Sequence, residues 1–154
     1  AHTTCAVLYV DDGVTLTGYC GDSRIYRINA EQILWRTQDH SVPQMLFQEG
    51  MITEMEIARH PGQNKLTRTL NINKVDPVDI ELHPVMREGE AFVICTDGFW
   101  SRIKQEELIQ LAESDIDKQK LAKLVRLCIY RGSGKSDNVS VYVLRKKKTR
   151  LLLT

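Results

Sequence analysis

Short runs typical of β-strands alternate with turn signals along the first forty residues, and this pattern constrains the fold more than any other feature. Residues 4–10 are apolar on both alternating faces, as in a buried strand. Asp11-Asp12-Gly13 follows them and is typical of a hairpin turn. Further strands are predicted at residues 14–20, 23–28 and 33–36. The start of the chain is therefore predicted to be a β-meander.

The remainder of the chain mixes helices with strands. Two short helices are predicted at residues 43–49 and 53–59, where Thr53 and Glu56 have the spacing of a capping box. Residues 60–73 are expected to be mostly irregular. Apolar faces indicate two later helices, around residues 108–112 and 121–128, and further strands are predicted at 78–82, 91–95 and 139–143. This order of elements indicates an α+β layered fold.

Composition and charge exclude several classes of partner. The 154 residues suit a single domain, and the formal net charge of +1 gives no field that would attract nucleic acid. No apolar run approaches the length needed to span a bilayer. The four cysteines stand singly in apolar stretches, which is typical of free thiols in a reducing compartment. We expect a cytoplasmic protein with no transmembrane segment and no nucleic-acid partner.

Three aspartates, Asp22, Asp97 and Asp137, each lie in a turn beside the end of a predicted strand. Taken singly, each is more typical of a turn former, because an Asp side chain can bond its own backbone. Carboxylates that converge from strand ends are also the usual ligands of Mg²⁺ and Mn²⁺. Periodicity alone does not bring the three together, so the metal interpretation depends on the fold.

Five motifs follow one another along the chain. They are Gly21-Asp22-Ser23-Arg24, the T-x-D-H-S pattern of residues 37–41, a segment holding Gly50-Met51-Ile52-Thr53 and Leu66-Thr67-Arg68-Thr69-Leu70, Cys95-Thr96-Asp97-Gly98, and Asp137-Asn138-Val139-Ser140-Val141. In this order and spacing they resemble the PPM (PP2C-like) family of metal-dependent protein serine/threonine phosphatases, bacterial type. The resemblance runs from about residue 2 to residue 144.

The resemblance implies a layered αββα sandwich of antiparallel sheets flanked by helices. Residues 1–144 would be the C-terminal part of the catalytic domain, incomplete at its N-terminus. Residues 38–70 would be the flap beside the active site, and residues 145–154 a basic C-terminal tail. The family hydrolyses phosphoserine and phosphothreonine on proteins by metal-activated water, so phosphorylated proteins, and with them a cognate protein kinase, are the implied partners.

The same resemblance assigns roles to residues of the metal site, which holds two or three Mn²⁺ or Mg²⁺ ions in the family. Asp97 and Asp137 would bind one ion of the central pair, and Asp22 would bind a third, weaker ion. Gly98 would support Asp97, and Asn138 would orient the loop of Asp137. These roles are implied by the family's motifs and do not follow from spacing.

Two family motifs are absent from the sequence. The R-x-x-N-E-D segment carries the phosphate-binding Arg, and the D-G-x-G-G-H segment carries the metal-bridging carboxylate and a His proposed as general acid; neither occurs here. We therefore expect no catalytic residue of these kinds and little activity from the chain alone. The alternative is a phosphatase-like binding module that holds a partner such as a protein kinase. We also expect exposed sheet edges and an apolar sheet face that favour self-association.

Overall fold

The computed structural model describes residues 1–133 and 138–146. Its strands are β1 (His2–Thr3), β2 (Cys5–Val10), β3 (Thr15–Cys20), β4 (Arg24–Ile28), β5 (Ile33–Arg36), β6 (Leu70–Asn71), β7 (Lys74–Val75), β8 (Asp79–His83), β9 (Ala91–Cys95) and β10 (Val141–Arg145). Its helices are α1 (Val42–Gln48), α2 (Glu54–Ile57), α3 (Asp97–Trp100), α4 (Gln105–Ile109) and α5 (Lys118–Arg131), with a 3₁₀ turn at Gln110–Ala112.

Two antiparallel sheets form the body of the molecule. The front sheet has the strand order β2-β3-β8, and the back sheet has the order β10-β9-β4-β5. A smaller sheet, β1-β6-β7, lies beside them. Side chains of β2, including Ala6 and Leu8, pack against buried Ile25, Met86 and Phe92 of the back sheet and its approach. The two sheets therefore face each other as a sandwich.

The opposite face of the back sheet is covered by helices. Tyr26 and Val93 of this face belong to one buried cluster with Phe99, Leu111 and Cys128 from the helical part of the chain. The two sheets and this helical layer confirm the predicted α+β class. α5 covers the predicted helix of residues 121–128 and begins at Lys118, because the Asp117 side chain accepts a hydrogen bond from the Lys120 amide.

The outer face of the front sheet is apolar and exposed. Register places Val7 opposite Gly18 and Tyr9 opposite Leu16, and Gly18 and Leu16 face Ile80 and Leu82 on β8. Four large apolar residues on this outer face are more than half exposed: Val7 (53%), Tyr9 (55%), Ile80 (67%) and Leu82 (74%). We call these four side chains the front apolar face. The exposed apolar sheet face that the sequence analysis expected is therefore present.

The predicted strands of the first forty residues all form, but the predicted meander is wrong. β3 does not pair with β4; it pairs with β2 and β8, whereas β4 pairs with β5 and β9. The chain therefore crosses from the front sheet to the back sheet between Cys20 and Arg24. The sequence analysis also missed helix α3 and the short strands β6 and β7, of which β6 lies within a stretch expected to be irregular.

Both short helices of residues 38–70 form as predicted. The Ser41 side chain caps α1, and the capping box of Thr53 and Glu56 begins α2. All four cysteines are free, and Cys5 is the one that is not fully buried. β10 runs through Arg145, the first residue of the expected basic tail. Across the described ranges, no helix combines the length and apolar character that a membrane span requires.

Candidate metal centre

A tight turn presents Asp22 where the chain leaves the front sheet for the back sheet. Gly21 has a φ of 107°, in the left-handed region that favours glycine. A Cβ on Gly21 would lie 2.4 Å from Cγ2 of Thr4, so a side chain does not fit there. The turn leaves Asp22 only 9% exposed. The glycine is thus needed for the chain to cross between sheets with Asp22 held inward.

Sheet register brings Asp97 to the same end of the back sheet as Asp22. Arg24 pairs with Cys95, and Cys95 pairs with Val141, so the start of β4, the end of β9 and the start of β10 are level. Asp22 lies two residues before Arg24, where β4 begins. Asp97 lies two residues after Cys95, where β9 ends. The two carboxylates therefore lie at the same end of the sheet, close enough for the charge of Asp97 to raise the pKa of Asp22.

Asp97 opens the short helix α3, and its surroundings contain both predicted supporting residues. The Gly98 amide donates a hydrogen bond of 2.9 Å to Oδ1 of Asp97. The Thr96 hydroxyl donates to the Asn138 carbonyl at 3.0 Å, which ties the start of the last strand to the Asp97 turn. Asp137, the third predicted metal ligand, lies outside the described residues.

The electrostatics of Asp22 are those of a carboxylate held without sufficient compensation. Burial first, and then the charges of Asp97 and Asp39, together raise the pKa of Asp22 from 3.8 to about 6, although the charge of Arg24 acts in the opposite direction. Near neutral pH the Asp22 carboxylate is therefore mostly ionised but costly to keep so. A cation placed between Asp22 and Asp97 would relieve this cost.

Arg24 is buried beside this turn and links several of its neighbours, so we call it the brace. Its guanidinium donates two hydrogen bonds to the Asp39 carboxylate, at 2.8 and 2.6 Å, and a third of 2.8 Å to the Tyr26 hydroxyl. It also lies 3.5 Å from the centre of the Trp100 ring. The Trp100 indole N–H donates to the Asp22 carbonyl at 2.9 Å. Both oxygens of Asp39 are engaged by Arg24, which leaves Asp39 poorly placed to act as a metal ligand.

His40 is a neighbour of the site that the sequence analysis did not single out. Its side chain contacts the Gly21 amide at 3.1 Å and Asp79 at 2.9 Å. Residues 37–41 were matched as a motif, and this was the signal that could have identified His40. Its role was not visible because Asp79 is distant in sequence and lies on a strand of the front sheet.

The residues present fit a hard divalent cation. Asp22 and Asp97 offer carboxylate oxygens, which are the ligands that Mg²⁺ and Mn²⁺ prefer. Within residues 1–133 and 138–146, no group of three or more His, Cys, Asp or Glu side chains is arranged to hold a metal ion. The predicted set is thus two carboxylates brought together by the fold and a third, Asp137, that the described ranges do not include.

The two facing sheets, the helical layer and the acidic turn at one sheet end define the class as the fold of metal-dependent PPM phosphatases. The protein phosphatase PhpP of Streptococcus pneumoniae (strain D39) is 31% identical over 141 residues, covering 90% of this chain and 56% of that protein. The crystal structure of the serine/threonine phosphatase Stp1 from Staphylococcus aureus has a TM-score of 0.78 at 25% identity, covering 94% of this chain and 56% of that one.

A second solved structure, the catalytic domain of the phosphatase PstP in complex with two manganese ions, has a TM-score of 0.69 at 23% identity and shares the fold. It covers 92% of this chain and 57% of that chain. No protein-family model matches the chain. The resemblance to the PPM (PP2C-like) family drawn from the motifs is nonetheless confirmed, because relatives named as phosphatases of this type match along nine tenths of the chain. The chain spans a little over half the length of these relatives.

Proposed function

We propose that the chain is part of a metal-dependent phosphatase that hydrolyses phosphoserine and phosphothreonine on proteins. The observation that carries the proposal is that Asp22 and Asp97 lie near each other at one end of the back sheet, in surroundings that raise the pKa of Asp22 to about 6. Such strongly perturbed carboxylates are typical of functional sites. The names of the relatives as serine/threonine phosphatases support the reaction and the substrate class.

The residues have distinct roles in this proposal. Asp97 and Asp137 would hold one ion of a Mn²⁺ or Mg²⁺ pair, and Asp22 would hold a further, weaker ion. The metal supplies an activated water and polarises a phosphoryl oxygen when bound. Gly98 fixes one oxygen of Asp97 through its amide, which limits the orientations of that carboxylate. Asn138 anchors the strand that follows Asp137 to Thr96.

Residues 38–70 would act as the flap that influences substrate access. Their two short helices, α1 and α2, are fixed by caps and by the buried base of the segment around Ser41. Three methionines of this segment, Met45, Met51 and Met55, are exposed. Flexible thioether side chains adapt to varied partners, which suits a surface that meets different phosphorylated proteins.

The chain alone is proposed to be a poor phosphatase. Its 154 residues contain no R-x-x-N-E-D or D-G-x-G-G-H motif, and so no bridging carboxylate or phosphate-binding Arg of the family type. A bridging carboxylate would hold a metal pair at the spacing that activates a shared water, and the Arg would clamp the phosphate with two hydrogen bonds, so a chain without them would lack both contributions. Loss of positioning of this kind costs orders of magnitude in rate.

The test compares the chain alone with the chain plus a separate polypeptide carrying the two missing motifs. Turnover of p-nitrophenyl phosphate and of a phosphothreonine peptide is measured with Mn²⁺. We expect turnover only in the mixture, with Asp97→Ala and Asp137→Ala abolishing it and Asp22→Ala weakening it. Asp12→Asn, in the exposed hairpin turn, is the matched control and should leave it unchanged.

Two results would contradict the proposal. Robust turnover by the chain alone would mean that its own residues complete the site. A folded mixture that binds a phosphoprotein or a protein kinase, but shows no turnover at any Mn²⁺ concentration, would instead favour the phosphatase-like binding module. Retention of Asp22, Asp97 and Asp137 favours the enzyme, since a module that only binds has no catalytic reason to keep all three.

A further inference from the structure

His40 holds Gly21 from two sides. The His40 amide donates a hydrogen bond of 2.9 Å to the Gly21 carbonyl. The Gly21 amide in turn donates to Nδ1 of the His40 imidazole at 3.1 Å. One residue therefore satisfies both backbone polar groups of the glycine on which the turn depends, and that glycine directly precedes Asp22.

The hydrogen bonds of the His40 ring select one tautomer. Because Nδ1 accepts the Gly21 amide proton, it carries no proton of its own. The ring proton therefore resides on Nε2, which donates to Oδ2 of Asp79 at 2.9 Å. Asp79 is held in turn by Arg68, whose guanidinium donates to its other oxygen at 3.0 Å. A carboxylate that orients an imidazole in this way fixes both its tautomer and its direction.

Packing leaves the His40 ring little freedom to rotate away. The side chain is 7% exposed. Its ring stacks on Tyr19 of β3, with centroids 5.1 Å apart and planes 20° from parallel. The nitrogen that faces Gly21 is therefore presented by a ring locked between the front sheet and the Asp22 turn.

The backbone of His40 also closes the base of segment 38–70. Its carbonyl accepts a hydrogen bond of 2.8 Å from the Thr67 amide, near the end of that segment. Next to it, Ser41 and Leu66 form an isolated antiparallel bridge. The same residue thus contacts both the returning end of the segment and the turn that carries Asp22.

We propose that His40 is a positioning residue: its unprotonated Nδ1 holds the Gly21–Asp22 turn and couples that turn to the base of segment 38–70. The Trp100 indole also restrains this turn, through the Asp22 carbonyl, so the bond to His40 is distinguished by acting on the Gly21 amide. A consequence for metal binding at Asp22 rests on the proposed function; the positioning itself does not.

Two substitutions distinguish the hydrogen bond at Nδ1 of His40 from the hydrogen bond at Nε2. His40→Asn places a carbonyl oxygen near the position of Nδ1 and can still accept the Gly21 amide. His40→Gln reaches towards Asp79 with an amide donor but offers no acceptor to Gly21. Both lose the stack on Tyr19, so their packing losses are matched and the difference between them reports the Nδ1 contact.

The measurement is amide hydrogen exchange of Gly21 by NMR in the 154-residue chain, with Gly18 in the middle of β3 as the internal reference. A buried donor left without its acceptor should exchange about tenfold faster in His40→Gln. In His40→Asn the rate should stay within about threefold of the wild type. Equal acceleration in both variants would overturn the proposal, because it would show a packing effect only.

A measurement on the wild type covers the case in which the variants do not fold. A scalar coupling between the Gly21 amide nitrogen and His40 Nδ1, across the N–H···N bond, is expected in ¹⁵N-labelled protein. A protonated Nδ1 without that coupling would overturn the proposal.

Mn²⁺-induced broadening of the NMR signals of residues 20–23 tests whether the positioning by His40 affects metal binding at Asp22. We expect broadening at lower Mn²⁺ in the wild type and His40→Asn than in His40→Gln. If the wild type and His40→Gln broaden alike, His40 does not position Asp22. If Gly21 behaves as expected but Mn²⁺ never broadens these signals, the positioning stands and the proposed metal role of Asp22 fails.

Discussion

Substitution of Asp22 by asparagine should stabilise the metal-free chain at neutral pH. The folded protein raises the pKa of Asp22 from 3.8 to about 6, through burial first and the charges of Asp97 and Asp39 next. At about 1.36 kcal/mol for each pH unit, this gap makes the ionised side chain cost up to about 3 kcal/mol of folding free energy. Asn has nearly the same shape without the charge, so Asp22→Asn should gain about 1–3 kcal/mol at pH 7.5.

The sign of the pH dependence follows from the direction of the shift. Between pH 3.8 and about 6 the folded state binds more protons at Asp22 than the unfolded state does. Stability therefore falls as pH rises through this window and the penalty is constant above it. Well below pH 3.8 the carboxyl is protonated in both states, so the advantage of Asp22→Asn should shrink to about 0.5 kcal/mol at pH 4 and vanish at lower pH.

Urea unfolding of the wild type and Asp22→Asn at pH 7.5 and pH 4, with a metal chelator present, measures this difference. Asp12→Asn, in the exposed hairpin turn, is the control and should change the free energy of unfolding by no more than about 0.5 kcal/mol. A variant less stable than the wild type at pH 7.5 would refute the reasoning, as would a difference that is the same at both pH values. Either would show that ionised Asp22 is stabilised by bonds within the protein.

Two further predictions concern the brace and the surface. Asp39→Asn should destabilise the chain by about 3–5 kcal/mol in urea unfolding, because it leaves the charge of buried Arg24 uncompensated, whereas Glu54→Gln, in a more exposed ion pair, should cost less than about 1 kcal/mol; equal losses would contradict this. The front apolar face should drive self-association, so light scattering at high concentration should show Leu82→Lys less associated than the wild type and than Val75→Lys, a still more exposed control on β7, outside that face. A wild type that stays monomeric throughout would exclude this role.

Local patterns predicted most elements of the fold but not which strands pair. The apolar alternation of residues 15–20 and 24–28 is visible in the sequence, and both strands form. A hairpin between them was a reasonable interpretation, because consecutive strands usually pair. The position of Gly21 against Thr4 decides otherwise, since it turns the chain out of the front sheet. This close approach involves two residues that are far apart in sequence and lie outside the strands, so it has no local signature.

The same limit applies to the candidate site. The turns carrying Asp22 and Asp97 were identified from sequence, yet their proximity depends on the pairing of Arg24 with Cys95, which only the fold supplies. His40 was overlooked for a related reason. Its proposed role depends on its contacts with Gly21 and Asp79, and no sequence spacing predicts that one imidazole will contact both residues.

The contrast between two buried carboxylates gives the strongest physical reason to expect a cation at this site. Asp39 is 5% exposed and receives two hydrogen bonds from Arg24, so the protein itself supplies its counter-charge. Asp22 is buried almost as deeply, yet among the described residues no salt bridge joins its carboxylate to a cationic side chain. The charge of Arg24 offsets only part of the rise in the pKa of Asp22, because the guanidinium donates its paired hydrogen bonds to Asp39. Because the described residues give Asp39 an arginine but give Asp22, beside Asp97, no ion pair, we expect the balancing charge at Asp22 to come from a cation in solution.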